Sequence, residues 1–112
     1  MLSNRSVRVF AYVGPCDMRK QLDGLSTLVR EQLARDPACG DLFLFRNRRG
    51  DMVKILFYDH GGDCLLVKRL SKGRFTLQLV VSDGAAGAEI SQAELSTLLT
   101  QAKLVQQVAP KP

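Results

Sequence analysis

From Gly40 onward the chain breaks into short apolar runs, Leu42 to Phe45, Met52 to Tyr58, Cys64 to Leu70 and Phe75 to Val81, each bounded by turn-forming residues. Runs of this length, rich in branched and aromatic side chains, read as four strands. Their separators, Asn47-Arg48-Arg49-Gly50, Asp59-His60-Gly61-Gly62-Asp63 and Ser71-Lys72-Gly73, have hairpin length. The simplest topology is therefore an antiparallel meander.

The segments on either side supply a further strand and two helices. Val7, Val9, Ala11 and Val13 alternate ahead of Gly14-Pro15, which predicts a strand closed by a turn. From Met18 onward, Leu22, Leu25, Leu28, Val29 and Leu33 recur at helical spacing, with Asp17 as N-cap and Asp36-Pro37 as a stop. That pattern predicts an amphipathic helix of about five turns. Gly24 inside it costs about 1 kcal/mol relative to Ala and points to close packing against another element. The stretch Ser82 to Ala88 reads as a flexible loop. Ser91 and Glu94 then form a capping box that opens a second helix with Leu95, Leu98, Leu99 and Ala102 on one face. The expectation is one α+β domain over residues 1–105, in the order β-α-β-β-β-β-α, with a mainly antiparallel sheet packed by two helices. Residues 106–112 are expected to form a flexible tail.

At 112 residues, 46% hydrophobic and 24% charged, the chain has the composition of a globular domain that builds a core without staples. Three cysteines, Cys16, Cys39 and Cys64, lie far apart with no CxxC pair, which argues against a disulfide framework and a zinc site. No apolar stretch reaches the 18 or so residues of a membrane span, and the expected setting is cytoplasmic.

Lys and Arg outnumber Asp and Glu by 16 to 11, for a net charge of +5. Such a balance favours phosphate backbones or acidic surfaces as partners. In a meander alternate turns lie at the same end of the sheet, so the Asn47–Gly50 and Ser71–Gly73 turns should be neighbours. They would gather Arg46, Arg48, Arg49, Lys68, Arg69, Lys72 and Arg74 at one end, opposed locally by Asp51, while Asp59, His60 and Asp63 lie at the other. A basic rim of this kind can reach backbone phosphates without base readout. About five such contacts would give a log–log salt slope of roughly −4 to −5 on duplex DNA. Solvated turn cations that discourage edge aggregation are the plain structural alternative. Arg19 and Lys20, placed in the first turn of the predicted helix, oppose its dipole and could hold a phosphate there. The alternative is that Asp17 caps the helix while these cations are solvated or paired with Asp23.

Catalytic signatures are missing. The aspartates are scattered without metal-site spacing, His60 sits in a Gly-rich turn without partners for nucleophilic chemistry, and no phosphate-binding GxxxxGK[ST] loop occurs. No catalytic residue, metal ligand or cofactor is expected. With no Trp and few aromatics, a base-stacking platform is also thin, and Phe43, Phe45, Phe57, Tyr58 and Phe75 read as core.

Three segments together carry a resemblance. They are Gly14 to Lys20 followed by Asp23-Gly24-Leu25, Leu42 to Asp51 followed by Lys54, and Lys68-Arg69-Leu70 followed by Gly73-Arg74-Phe75. In order and spacing they resemble the insertion sequence 66 TnpB family over roughly residues 7 to 100. That family is distinct from the RNA-guided nucleases that share its name. The chain departs from the family's aromatic, Trp-rich positions at Phe57-Tyr58 and Thr76-Leu77 and near Ala102-Lys103-Leu104. The resemblance implies an accessory protein encoded beside a separate DDE transposase and needed for transposition. Its motif positions fall on Asp17 to Lys20, Asp23 and Gly24, on Phe45, Arg46, Arg48 to Asp51 and Lys54, and on Lys68 to Leu70 and Gly73 to Phe75.

The combined reading is a non-catalytic helper whose basic rim engages DNA, transposon ends in particular, or a DNA-bound transposase. The candidate contact residues are Arg19, Lys20, Arg46, Arg48, Arg49, Lys54, Lys68, Arg69, Lys72 and Arg74. The rival reading is an adaptor that binds the transposase or another element-encoded accessory protein with no DNA contact, and a small metal-dependent nuclease is a more distant one. Open sheet edges also leave room for a homo-oligomer.

Overall fold

The central strand of the sheet reads Leu42-Phe43-Leu44-Phe45, apolar on both faces, and a strand of that kind must be covered twice. In the computed structural model, which describes residues 6–100, it is. The elements are β1 (Val9–Pro15), α1 (Leu22–Glu31), β2 (Leu42–Arg46), β3 (Met52–Asp59), β4 (Gly62–Arg69), β5 (Gly87–Ile90) and α2 (Gln92–Thr100). They form one five-stranded sheet in the order β4-β3-β2-β1-β5. On one face Phe10, Phe43, Phe45 and Leu56 pack with Leu25 and Val29 of α1. On the other, Val9, Leu44, Val53 and Ile55 pack with Leu95 and Leu98 of α2 and with Phe75. The result is an α+β domain of three layers.

The expected meander holds for β2, β3 and β4, which pair antiparallel in chain order. It fails on either side of them. β1 runs parallel to β2, with Val9 opposite Leu42 and Ala11 opposite Leu44, and α1 makes the crossover. The last expected strand, Phe75 to Val81, joins no ladder. Its alternation is nevertheless used, because Phe75, Leu77 and Leu79 pack onto the sheet face that α2 also covers. A period of two thus marks an extended cover as well as a strand.

The fifth strand lies where a flexible loop was expected. Gly87 to Ile90 pairs antiparallel with β1, from Val9 opposite Ile90 to Tyr12 opposite Gly87. Small residues here serve close approach. A Cβ on Gly87 would run into the Leu33 side chain and sit 3.0 Å from the Ala11 carbonyl oxygen.

Helix α1 is shorter than its apolar spacing suggests. Gln21, not Asp17, takes the N-cap position, with no side-chain cap. Asp17 instead organises the preceding turn, its carboxylate accepting the Arg19 N–H at 2.9 Å and its carbonyl accepting the Lys20 N–H. The Met18 and Lys20 carbonyls are turned aside to another partner, the Lys54 ammonium. At the far end the chain leaves the helix at Gln32 and passes through Ala34 at φ 54°. Gly24 is approached by the Lys20 stem four residues earlier, and a Cβ there would lie 3.2 Å from it.

Two local devices match their sequence signals. Ser91 Oγ accepts the Glu94 N–H at 2.9 Å while Glu94 returns the bond to the Ser91 N–H at 2.8 Å, the expected capping box. His60 and Gly61, at φ 50° and 81°, form the two-residue turn between β3 and β4, where Asp59 pairs with Gly62. The expected continuation of the second helix to Ala102 and the expected tail from residue 106 lie outside the described residues.

Replacing Gly87 with Ala should destabilise the domain by about 1–3 kcal/mol through overpacking against β1. Urea denaturation checks this, with amide hydrogen exchange locating the loss at Tyr12 and Val13; an unchanged midpoint would contradict the close approach.

Candidate nucleic-acid interface

Because β1 and β2 are parallel, their C-terminal ends lie side by side, and Pro15 is the register partner of Arg46. A cleft of about 420 Å³ opens there. Its walls are Val13, Gly14 and Pro15 from β1, Arg46, the Asn47–Gly50 loop, and Arg74 with Phe75. Four arginines, Arg46, Arg48, Arg49 and Arg74, line it, and among the described residues no acidic side chain does.

Asn47 shapes the loop. Its Oδ1 accepts the Gly50 N–H at 2.9 Å and the Met52 N–H at 3.1 Å, and its carbonyl closes the turn on Gly50. Arg48 and Arg49 take the two central positions and are exposed. Gly50, at φ 79°, occupies the left-handed region that favours glycine, and Arg74 packs beside it. The Gly50 carbonyl accepts the Phe75 N–H at 2.8 Å, and the Asp51 carbonyl accepts the Leu70 N–H at 2.8 Å. These bonds place the residue 70–75 segment beside the 47–51 loop. Arg46 donates from Nη1 to the Phe75 carbonyl at 3.2 Å, which orients its guanidinium. Asp51, at the end of the loop, is engaged by the Asn47 amide at 2.7 Å. That bond and the nearby Arg49 and Arg69 charges hold its carboxyl below the ordinary carboxylate range.

The ten candidate residues therefore separate. Arg46, Arg48, Arg49 and Arg74 converge on the cleft. Arg69 and Lys72 are exposed on the end of β4 and the bend after it. Lys68 is drawn across the α2 side of the sheet, where its ammonium donates to the Leu99 carbonyl. Arg19 is paired: its guanidinium forks onto Asp17, with Nη2 to Oδ2 at 2.7 Å, and neither it nor Lys20 lies in the first turn of α1. Arg19 thus pairs with Asp17 and not with Asp23, the partner weighed as an alternative.

Lys54 does not belong among surface contacts. Its side chain is 3% exposed, and Nζ donates to the Met18 carbonyl at 2.9 Å, the Lys20 carbonyl at 2.7 Å and Gln21 Oε1 at 3.4 Å. A buried ammonium needs such acceptors, and here it ties β3 to the segment leading into α1. Reading the sequence missed Val13, Gly14 and Pro15 as cleft walls, because the meander covered the strands after Gly40 and gave β1 no neighbour. The helical pattern between two apolar runs was the available signal for a parallel pair.

Among the described residues no group of three or more His, Cys, Asp or Glu side chains is placed to hold a metal ion, and no helix is long and apolar enough to cross a membrane. Two curated relatives from Sinorhizobium fredii (strain NBRC 101917 / NGR234) are similar to the chain. Uncharacterized protein y4hO is 42% identical over 98 residues, covering 88% of this chain and 83% of the relative. Uncharacterized protein y4jC is 36% identical over 96 residues, covering 86% and 80%. No solved structure matches. The family model described as IS66 Orf2 like protein matches residues 7–109. The chain belongs to the IS66 Orf2-like family. This agrees with the resemblance carried by the three segments, and it makes the protein a transposition-associated accessory protein.

In this IS66 Orf2-like protein, Lys54→Met should cost about 2–4 kcal/mol, since two carbonyls and an amide oxygen lose their donor in a buried site. Chemical denaturation measures it, and a cost under half a unit would mean that water replaces the ammonium. The turn before α1 gives a second prediction. The Arg19 side chain, and then its backbone N–H, lower the Asp17 carboxyl from 3.8 to about 2. A depressed carboxyl contributes stability that is complete above its ordinary value and is lost as pH falls through about 2. Arg19→Ala should return the Asp17 titration toward 3.8, as followed by carboxyl carbon chemical shifts.

Proposed function

We propose that the protein is a non-catalytic accessory factor of transposition that binds DNA, or DNA already held by the transposase, through the arginine-lined cleft and the cations beside it. The observation that carries this reading is the convergence of Arg46, Arg48, Arg49 and Arg74 on one concavity that, among the described residues, has no acidic lining residue. Guanidinium groups cannot be deprotonated in the working range and match phosphate oxygens through a planar fork. Leaving four of them close together is unfavourable without an anion, so the arrangement suits a polyanionic partner. Arg69 and Lys72, exposed nearby, extend the positive surface along which a phosphate backbone can run.

Contacts of this sort position nucleic acid and carry little sequence information. The factor therefore adds affinity and orientation, and the transposase supplies recognition and strand chemistry. An adaptor role, with the same cations meeting an acidic patch of the transposase, is the second reading, since a guanidinium fork matches a carboxylate as well as a phosphate.

The test is a fluorescence-anisotropy titration of a labelled transposon-end duplex and a scrambled duplex across a salt series. The wild type is compared with an Arg48→Ala, Arg49→Ala, Lys72→Ala, Arg74→Ala variant. Loss of four phosphate contacts should flatten the log–log salt slope by about 3 to 4 units. Wild-type protein that binds neither duplex at low salt would leave the adaptor reading in its place.

A further inference from the structure

The cleft has two unlike halves. On one side stand the guanidinium groups of Arg46, Arg48, Arg49 and Arg74; on the other, β1 presents Val13, 37% exposed, and the exposed ring of Pro15. The volume, about 420 Å³, is in the small-molecule range and has room for about one nucleotide unit. The apolar half has no use for a continuous duplex, whose base faces are stacked inside the helix and whose outer surface is phosphate and sugar. It does suit an unpaired nucleotide, which exposes the face of its base.

We propose that the cleft takes one unpaired nucleotide of a DNA strand, its phosphate between the arginine forks and its sugar and base against Val13 and Pro15. The inference rests on the reading of the cleft as a nucleic-acid surface and narrows its ligand to single-stranded or strand-end DNA. Arg46 fixes the orientation. One of its nitrogens is committed to the Phe75 carbonyl, and the remaining N–H groups of the same planar group are available to a phosphate. The segment carrying Arg74 is held by the Phe75 N–H to Gly50 carbonyl bond, so the arginines before and after the apolar core segment meet without a conformational change. Among the described residues Asn47 is the one amide side chain lining the cleft, and it is occupied by Gly50, Met52 and Asp51, so with the arginine forks on phosphate no side chain there is left to read a base edge.

The test compares three labelled DNAs of equal phosphate number: a thymidylate single strand, a blunt duplex, and a duplex with a single-stranded overhang. Dissociation constants are measured by anisotropy across a salt series for the wild type, Arg74→Ala and Val13→Thr, with thermal melts to verify folding. Pro15→Ala replaces Val13→Thr if the latter melts early. The single strand and the overhang should bind about tenfold tighter than the blunt duplex. Arg74→Ala should weaken binding to all three and lower the salt slope by about one unit. Val13→Thr should erase most of the preference for unpaired DNA and leave the salt slope unchanged. A blunt duplex bound as tightly as the overhang would overturn the unpaired-nucleotide site while leaving the basic surface as a duplex contact. Failure to bind any of the three DNAs would overturn both.

Discussion

Strand β2 has no face for water. Leu42 and Leu44 point into one core and Phe43 and Phe45 into the other, and all four are buried. Burying a Leu or Phe side chain contributes about 1.5–3 kcal/mol, so a sheet centred on this strand gains from a cover on each side. Helix α1 supplies one, and its insertion between β1 and β2 makes those strands parallel. Helix α2 and the extended Phe75 to Leu79 segment supply the other. The cleft follows from this double cover. The crossover sets the ends of β1 and β2 side by side, and the extended segment must pass their rim to reach its face, bringing Arg74 with it.

One buried charge connects the two layers on the α1 side. Lys54 stands among apolar neighbours on β3, and its ammonium reaches the last carbonyls before α1. An apolar residue would fill the space, but it would leave those carbonyls without their donor. The turn ahead of α1 is thus tied to a strand more than thirty residues away, a contact local propensity cannot register. The spacing of Leu22, Leu25 and Val29 was correct for the helix face, while Asp17 serves the preceding turn and Gln21 takes the cap position.

The same distinction runs through what could be read from the chain. The β2–β3–β4 hairpins, the Ser91–Glu94 capping box and the apolar faces of both helices depend on neighbours in sequence and were legible. Pairing between distant segments was not. Val7 to Val13 alternates equally well for either neighbour, and Phe75 to Val81 has the period of a strand because it covers one. Small residues around Gly87 looked flexible when their size served close approach to Ala11 and Leu33. Of the candidate cations, those on the Asn47–Gly50 turn and Arg74 come together at one cleft, as turn geometry suggested. That Lys54 is buried on backbone carbonyls and that Lys68 reaches the Leu99 carbonyl was not legible, because a lysine's reach across the fold leaves no mark in composition.

The hairpin of β3 and β4 carries opposite charges at its two ends. Arg48 and Arg49 precede β3, and Asp59 and Asp63 lie at its far end, separated by an eight-residue strand of about 25 Å. These groups give the hairpin a dipole lying along its strands. Near a polyanion, the field would turn the molecule so that its arginine end leads, before any contact is made. Orientation during approach raises the association rate and loses strength as ions shorten the screening distance. A small factor of this shape would arrive at its partner already aligned, and the search for a productive encounter would be reduced to little more than translation.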